Sequence, residues 1–395
     1  MKWIISEVFF PDEVSTALIM TEIAEEYAKD EEISVICGPG GYEKSYKTQV
    51  RALNRNIKVC RVNIGNYNKN RLLSRVIRLF VLTIKMTFTI IRKVKRHDEL
   101  LMVTNPAFLL VTVALIKSFM SIKFHVLVHD IFPDNLVPAG LASREGMKFK
   151  VLNSLFNWAY RKADKLIVLG EDMGDLMVNK LGIDRAKIKV ITNWADPEVM
   201  PIPDYAASDY FNIDLSGKLV IGFAGNIGRV QGVPEFIEAF VKADNAKLAL
   251  VLVGDGALKA ELETALQNQD VKNVHFVGSK ARSEQIYFLN ACDIGLITLK
   301  EGMFGLGVPS KTYNVMAAQK PLLYIGDARS EIDRYVTKFN NGWSFNWGQK
   351  DEIVSFLRDL SERERSIIEN KGNNSLNAVN TFFQKSEVLK LYKHL

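Results

Sequence analysis

Lys311 and Arg229 are the residues of this sequence best placed by type and context to hold an anion. Lys311 lies in GLGVPSKTYNVMAAQKPLLYI (305–325), where a glycine run reaches a Pro-Ser pair and helical spacing begins. Ser310 is a good N-cap residue, so Lys311 opens the helix. A cation in a first turn opposes the helix dipole by roughly 0.3–1 kcal/mol. Either Lys311 is a solvated surface lysine, or something anionic belongs beside it. Asn314 lies one helical turn further on and shares its face. Arg229 lies in AGNIGRVQG (224–232), where Gly225, Gly228 and Gly232 allow close backbone approach. Together the two cations could grip a diphosphate.

A second cluster is VLVHDIFPDN (126–135). His129 and Asp130 stand where an apolar run ends, and a histidine there can orient a hydroxyl or shuttle a proton near neutral pH. A lone histidine is more often structural. No set of histidines or cysteines has metal-ligand spacing, and no nucleophile elbow or Walker lysine loop is present. A third pattern is a basic stripe: Arg71, Arg78, Lys85 and Arg92 recur every seven residues in RLLSRVIRLFVLTIKMTFTIIRKVKR, with no acid from Lys69 to Arg96. It reads either as a solvated helix face or as a surface for an anionic leaflet. Nucleic acid is disfavoured, because the aromatic interleaving of a stacking surface is missing.

The elements that must position these residues alternate strand and helix. Over residues 204–374 the apolar runs KLVIGFAG, KLALVLVG, NVHFVGS, DIGLITL and PLLYI are separated by the helical stretches VPEFIEAFVKA, ALKAELETALQNQ and SEQIYFLNAC. Strands apolar throughout, separated by helices, predict a parallel sheet covered on both faces. Residues 1–200 repeat the scheme in KWIISEVF, ISVICGP, ELLMVTN, KFHVLVHD, KLIVLG and KIKVITN. The patterning breaks at PEVMPIPDY (197–205), which predicts the domain boundary. Residues 375–395 form a helix left over once the second sheet is complete. The fold class is therefore α/β, two doubly wound Rossmann-like domains, with ligands expected beyond the carboxyl strand ends.

The chain's 395 residues, 48% hydrophobic content and net charge of +6 suit a two-domain globular protein with a mild preference for anionic ligands. The scattered Cys37, Cys60 and Cys292 predict reduced thiols, and with the absence of a signal-like N-terminus they predict a cytoplasmic protein.

In order along the chain, FFPDEVST, HDIFPD, YRKADKLIVLGEDMGDLM, KIKVITNWADPE, GFAGNIGRVQGVPEFIEAF, LVLVGDGALKAELE and VPSKTYNVMAAQKPLL resemble the retaining glycosyltransferases of family 4, which have the GT-B fold. The resemblance extends over nearly the whole chain and is nearest the members that build bacterial capsule, O-antigen or exopolysaccharide. It implies a sugar transfer from a nucleoside-diphosphate sugar, UDP-linked, to a glycan or a polyprenyl-diphosphate-linked acceptor. Arg229 and Lys311 would stabilise the departing diphosphate without a metal ion. Gly225, Asn226, Gly228, Gly254 and Ser310 would line the donor site, with Phe276, Val277 and Gly278 at the base, and Gly305, Leu306 and Gly307 at the sugar. Asp12, Ser15, Thr16 and His129 would face the acceptor, with Asp130 beside them, and the C-terminal helix would return to the N-terminal domain.

Two departures stand out. The family's paired glutamates are replaced by Leu306 and Asn314, Asn314 at the ribose position, and its first-loop glycines are missing near Ser15 and Thr16. A sugar-nucleotide 2-epimerase of the same fold and an inactive scaffold subunit are the alternative readings.

Overall fold

The computed structural model describes residues 1–40, 52–65, 72–205, 207 and 210–395. The chain divides into two compact units, Met1–Ile191 with Leu389–Leu395, and Thr192–Val388. The division falls just ahead of the proline-rich stretch 197–205.

The first unit holds a parallel sheet of β1 (Lys2–Ser6), β2 (Ile33–Cys37), β3 (Ile57–Arg61), β4 (Glu99–Val103), β5 (Lys123–Val128), β6 (Lys165–Val168) and β7 (Ile188–Val190), in the order β3-β2-β1-β4-β5-β6-β7. The central strands are buried along nearly their full length, as apolar runs between two helical layers require. β1 pairs with β2 on one side and β4 on the other, so the connections reverse direction at β1/β4. That reversal opens a crevice at the carboxyl ends of those strands.

The second unit repeats the plan with β8 (Leu219–Ala224), β9 (Leu248–Val253), β10 (Val274–Gly278), β11 (Ile294–Thr298), β12 (Leu322–Ile325) and β13 (Gly342–Phe345), in the order β10-β9-β8-β11-β12-β13. This is the dinucleotide-fold strand order, with its reversal between β8 and β11. Leu219, Ile221 and Phe223 of β8 pack with Phe236 and Phe240 of the helix Val233–Ala243 in one core, all with no more than 2% exposure.

The tail is two helices rather than one, Arg365–Phe382 and Lys385–Tyr392, with a break at Phe383 and Gln384. Phe383 packs edge-on to Tyr313, 5.1 Å between ring centroids, and fixes the first helix in the second unit. Within the first unit, the Tyr27 hydroxyl donates to Tyr392 O at 2.8 Å, and Lys393 pairs with Glu26 and Asp30.

Candidate functional site

Each unit gathers its chemistry-bearing residues at the carboxyl ends of its own strands. In the second unit the loop after β8 packs backbone-to-backbone on the loop after β9. Gly225 N–H donates to Val253 O at 2.8 Å, Ile227 N–H to Asp255 O at 2.9 Å, and Gly254 N–H to Gly278 O at 2.9 Å. Gly225 and Gly254 have φ of +145° and +146°, and a Cβ on Gly254 would lie 1.9 Å from Gly225 O. These positions therefore require glycine.

The pair Gly254→Ala and Gly278→Ala tests this contact. Gly278 also has a left-handed φ of +73°, but nothing lies within 4 Å of a Cβ there. Gly278→Ala should cost about 1 kcal/mol of backbone strain and Gly254→Ala about 3 kcal/mol or more, because a collision is added. In thermal unfolding of this unit that is a drop of roughly 2–4 °C against roughly 6–12 °C. Equal drops would mean that the two loops are not in contact.

Lys311 opens the helix Lys311–Ala317 as expected, but Ser310 does not cap it by its side chain. Ser310 is itself helical (φ −62°, ψ −25°) and gives no side-chain capping bond. The lysine side chain runs back toward the loop after β8. Its Nζ is 3.4 Å from the centroid of the Phe223 ring, and a Cβ on Gly225 would lie 3.6 Å from it. That ammonium nitrogen is buried and has no hydrogen-bond partner among the described residues. Burial alone pushes its pKa down from 10.5 to about 7. The choice left open by the sequence is settled against a solvated lysine. An unpaired buried cation costs several kcal/mol unless an anion compensates it.

Arg229 lies in the same β8 loop, exposed, and forms no hydrogen bond or ion pair with another described residue. Gly228 is buried, and a Cβ on it would lie 2.8 Å from Asn226 Nδ2. Phe276, Val277 and Gly278 end β10, partly exposed. Gly305 has φ +66°, and Leu306 N–H donates to Met303 O at 3.0 Å, so the 303–307 run is a closed turn with Leu306 buried. Asn314 is committed within the unit: its Oδ1 accepts from Asp196 N–H at 2.8 Å and its Nδ2 donates to Gln285 Oε1 at 3.1 Å.

In the first unit β5 delivers His129 and Asp130 to the crevice. Thr104 Oγ1, at the end of β4, accepts from His129 N–H at 3.2 Å and Asp130 N–H at 3.3 Å. His129 Nδ1 is 3.3 Å from Thr16 Oγ1, which joins the loop after β1 to the loop after β5. Its Nε2 is buried without a partner, and desolvation lowers the ring's pKa to about 4. His129 is therefore neutral at pH 7, and the expectation that it shuttles a proton near neutrality is corrected. It can donate or accept a hydrogen bond. Asp130 stays exposed at the loop surface, yet the protein around its carboxyl removes enough water to hold its pKa above the ordinary value. Asp12 is buried, and Ser15 is exposed at the start of the helix Ser15–Tyr27.

Sequence reasoning missed Thr104 and Phe223. A threonine after an apolar strand is a usable signal for a loop-supporting hydroxyl. Phe223, inside an apolar run, is indistinguishable by sequence from any core aromatic. Among the described residues no group of three or more His, Cys, Asp or Glu could hold a metal ion, and no helix is long and apolar enough to cross a membrane.

The basic stripe is only partly a surface. Arg78 turns inward, its Nη1 2.9 Å from Oε1 of the buried Glu7. Arg78 is thus corrected from a surface cation to an ion-pair partner, because the helix Leu72–Lys93 places it over the end of β1. Lys85 is exposed and donates to Asn63 O at 2.8 Å, Arg92 is exposed, and Arg71 lies outside the described residues.

The family model described as "Glycosyltransferase Family 4" matches residues 18–199, and "Glycosyl transferases group 1" matches residues 211–375. The "Probable glycosyltransferase WbjE" of Pseudomonas aeruginosa is 40% identical over 307 residues, 76% of this chain and 75% of its own. The "Putative colanic acid biosynthesis glycosyl transferase WcaI" of Escherichia coli (strain K12) is 25% identical over 219 residues, 54% of this chain and 53% of its own. The fold matches Anabaena Alr3699/HepE, solved in complex with UDP, at a TM-score of 0.72 and 15% identity, covering 100% of this chain and 98% of that one. It also matches WaaG, a glycosyltransferase involved in lipopolysaccharide biosynthesis, at 0.70 and 12% identity, covering 99% of each chain. With two Rossmann-like units, both family models and a 40% identical relative, the chain belongs to the family 4 glycosyltransferases of the GT-B fold.

Proposed function

We propose that this glycosyltransferase moves a hexosyl or N-acetylhexosaminyl group from a UDP-sugar to a glycan or polyprenyl-diphosphate-linked acceptor in cell-surface polysaccharide synthesis, with retention at the anomeric carbon. The observation that carries the reading is the buried, unpartnered Lys311 ammonium beside Gly225 at the β8/β11 reversal. A diphosphate placed there would meet that ammonium, with Arg229 free in the same loop to follow it. Stabilising charge on a leaving group is commonly the largest catalytic contribution. No metal ion is then needed at the diphosphate.

The sugar C1–O bond to the diphosphate breaks as the acceptor oxygen bonds C1 from the same face. The acceptor's proton passes to the departing phosphate oxygen, which leaves UDP and the new glycoside. On the first unit, neutral His129, positioned by Thr16, is the hydrogen-bonding group offered to the acceptor, with Asp130 next to it in the chain. Asn314, held by Asp196 and Gln285, supports the nucleotide side through the helix that carries Lys311.

The test is thermal unfolding with UDP, GDP, ADP and CMP, in EDTA. A ligand at a hundred times its Kd stabilises by about 2.7 kcal/mol. A selective shift with UDP is expected, and in a transfer assay the new linkage should keep the donor's anomeric configuration by NMR. No shift with any nucleotide, or inversion in the product, would overturn the reading.

A further inference from the structure

The helix Leu72–Lys93 carries a second stripe beside the cations. Ile77, Phe80, Ile84, Phe88 and Ile91 recur at helical spacing, and each is between 44% and 57% exposed. The core face of this helix is separate: Leu82, Met86 and Ile90 are fully buried. The apolar stripe is therefore turned away from the core, with Lys85 and Arg92 along its edge and Lys93, Lys95 and Arg96 exposed at its end. No acidic residue occurs from Leu72 to His97. The helix Ala107–Phe119 packs beside this one, and the helix Met147–Lys162 beside that. Each carries exposed apolar residues of its own, Leu115 and an 82% exposed Phe119 on the first, and Met147 and Val151 next to the exposed Lys148 and Lys150 on the second.

We propose that this three-helix face docks on an anionic lipid bilayer, with the apolar stripe seated at the headgroup–acyl boundary and the bordering cations on the headgroups. A long helix with an outward apolar stripe edged by lysine and arginine has the composition of an interfacial helix. It is not long and apolar enough to cross the membrane, so it lies along the surface. Charge selects the occupant: a second copy would oppose this basic face with the same basic face, whereas an anionic leaflet complements it. Exposed apolar area of this extent on a protein surface marks a partner site rather than ordinary solvent-facing structure.

The face is joined to the acceptor-side residues within the same unit. Arg78, on the docking helix, pairs with Glu7, which begins the loop leading to Asp12 and Thr16. Phe80 contacts Phe108 at 5.5 Å between centroids, and Phe108 contacts Phe132, two residues after Asp130, at 6.1 Å. On the reading of a lipid-linked acceptor proposed above, docking holds His129 and Thr16 above the leaflet from which the acceptor's diphosphate emerges.

The test is co-sedimentation of the full chain with phosphatidylglycerol–phosphatidylcholine vesicles. Wild type should bind, and less at 1 M salt. Ile84→Ser/Phe88→Ser/Phe119→Ser should lower partitioning about tenfold or more, while its melting temperature and its stabilisation by UDP stay unchanged. Lys85→Gln/Arg92→Gln/Lys93→Gln should reduce binding to the anionic vesicles as well. No sedimentation of wild type, or unchanged sedimentation of the serine variant, would overturn the inference. So would a wild-type dimer in light scattering that the serine substitutions dissolve, since a second copy would then cover the stripe. Loss of UDP stabilisation in wild type bears on the donor reading and leaves the docking result standing.

Discussion

Lys311→Met is expected to raise the thermal stability of the empty protein and to weaken its affinity for UDP by roughly 30-fold or more. The two effects have one cause. The ammonium is buried without a hydrogen-bond partner among the described residues, so the native state holds a charge that the unfolded chain would hydrate. Lowering the pKa from 10.5 to about 7 corresponds, at about 1.4 kcal/mol per unit, to several kcal/mol of destabilisation. The native lysine binds fewer protons than the unfolded one between pH 7 and 10.5, so stability rises with pH over that window. Below about pH 7 both forms are charged and the penalty is present in full. Methionine removes it, fills a similar volume, and keeps a favourable sulfur contact with Phe223. The gain in melting temperature should therefore be largest at pH 6 and small at pH 10. Binding moves the other way: truncating one partner of a buried charged hydrogen bond costs about 2–5 kcal/mol, or roughly 30-fold to several thousand-fold in Kd. A variant that melts lower than wild type at pH 6, or binds UDP as tightly in calorimetry, would show that the lysine is not held in reserve for an anion.

This opposition between stability and binding explains why Lys311 was ambiguous in the sequence. A glycine run, then Pro-Ser followed by lysine, indicates a helix start, and a lysine there is compatible with solvent. What decides is Phe223 beneath the ammonium and the Gly225 loop beside it, and both come from β8 and its loop, far away in sequence. The central strands were legible because burial on both faces makes them apolar throughout. The two strands that sequence patterning missed, β3 and β13, are both edges. β3 mixes buried Ile57 with exposed Lys58 and Arg61, and Gly-Trp-Ser-Phe in β13 has neither a run nor clear alternation. An edge strand need not be apolar throughout, so β3 and β13 lack the run that β7 and β10, also edges, retain.

The basic stripe shows the same limit. A heptad places Arg78, Lys85 and Arg92 in line, but it does not show that Glu7 claims the first. Nor does it show that the aromatic and aliphatic residues beside the cations face outward. Only burial separates Leu82, Met86 and Ile90, which serve the core, from Ile84, Phe88 and Ile91, which do not. In the HDIFPD motif, residue types suggested a titrating histidine. The closed surroundings of His129 make it a neutral hydrogen-bonding group instead.

Because His129 titrates near 4 and Lys311 near 7, the pH dependence of donor binding isolates the lysine. Affinity for a UDP-sugar is expected to be level between pH 6 and 7 and then to fall by up to about tenfold per unit as pH rises further. The sign follows from the bound state. A diphosphate against the ammonium favours its charged form and moves its pKa back up. Between the free and bound values, binding must therefore draw a proton from solution. The diphosphate of a UDP-sugar is esterified at both ends and releases no proton in this range, so the uptake belongs to the protein. At pH 8, calorimetry in two buffers of different ionisation enthalpy should give close to one proton taken up per ligand bound, and almost none at pH 6. Lys311→Arg keeps a charge at every pH tested, so it should bind with no proton uptake and no slope, whatever its absolute affinity. Uptake that persists in the arginine variant would assign the proton to another group. A flat affinity from pH 6 to 9 in wild type would mean either that the free lysine keeps its proton across that range or that the diphosphate does not reach it, and the loss of affinity in Lys311→Met separates the two.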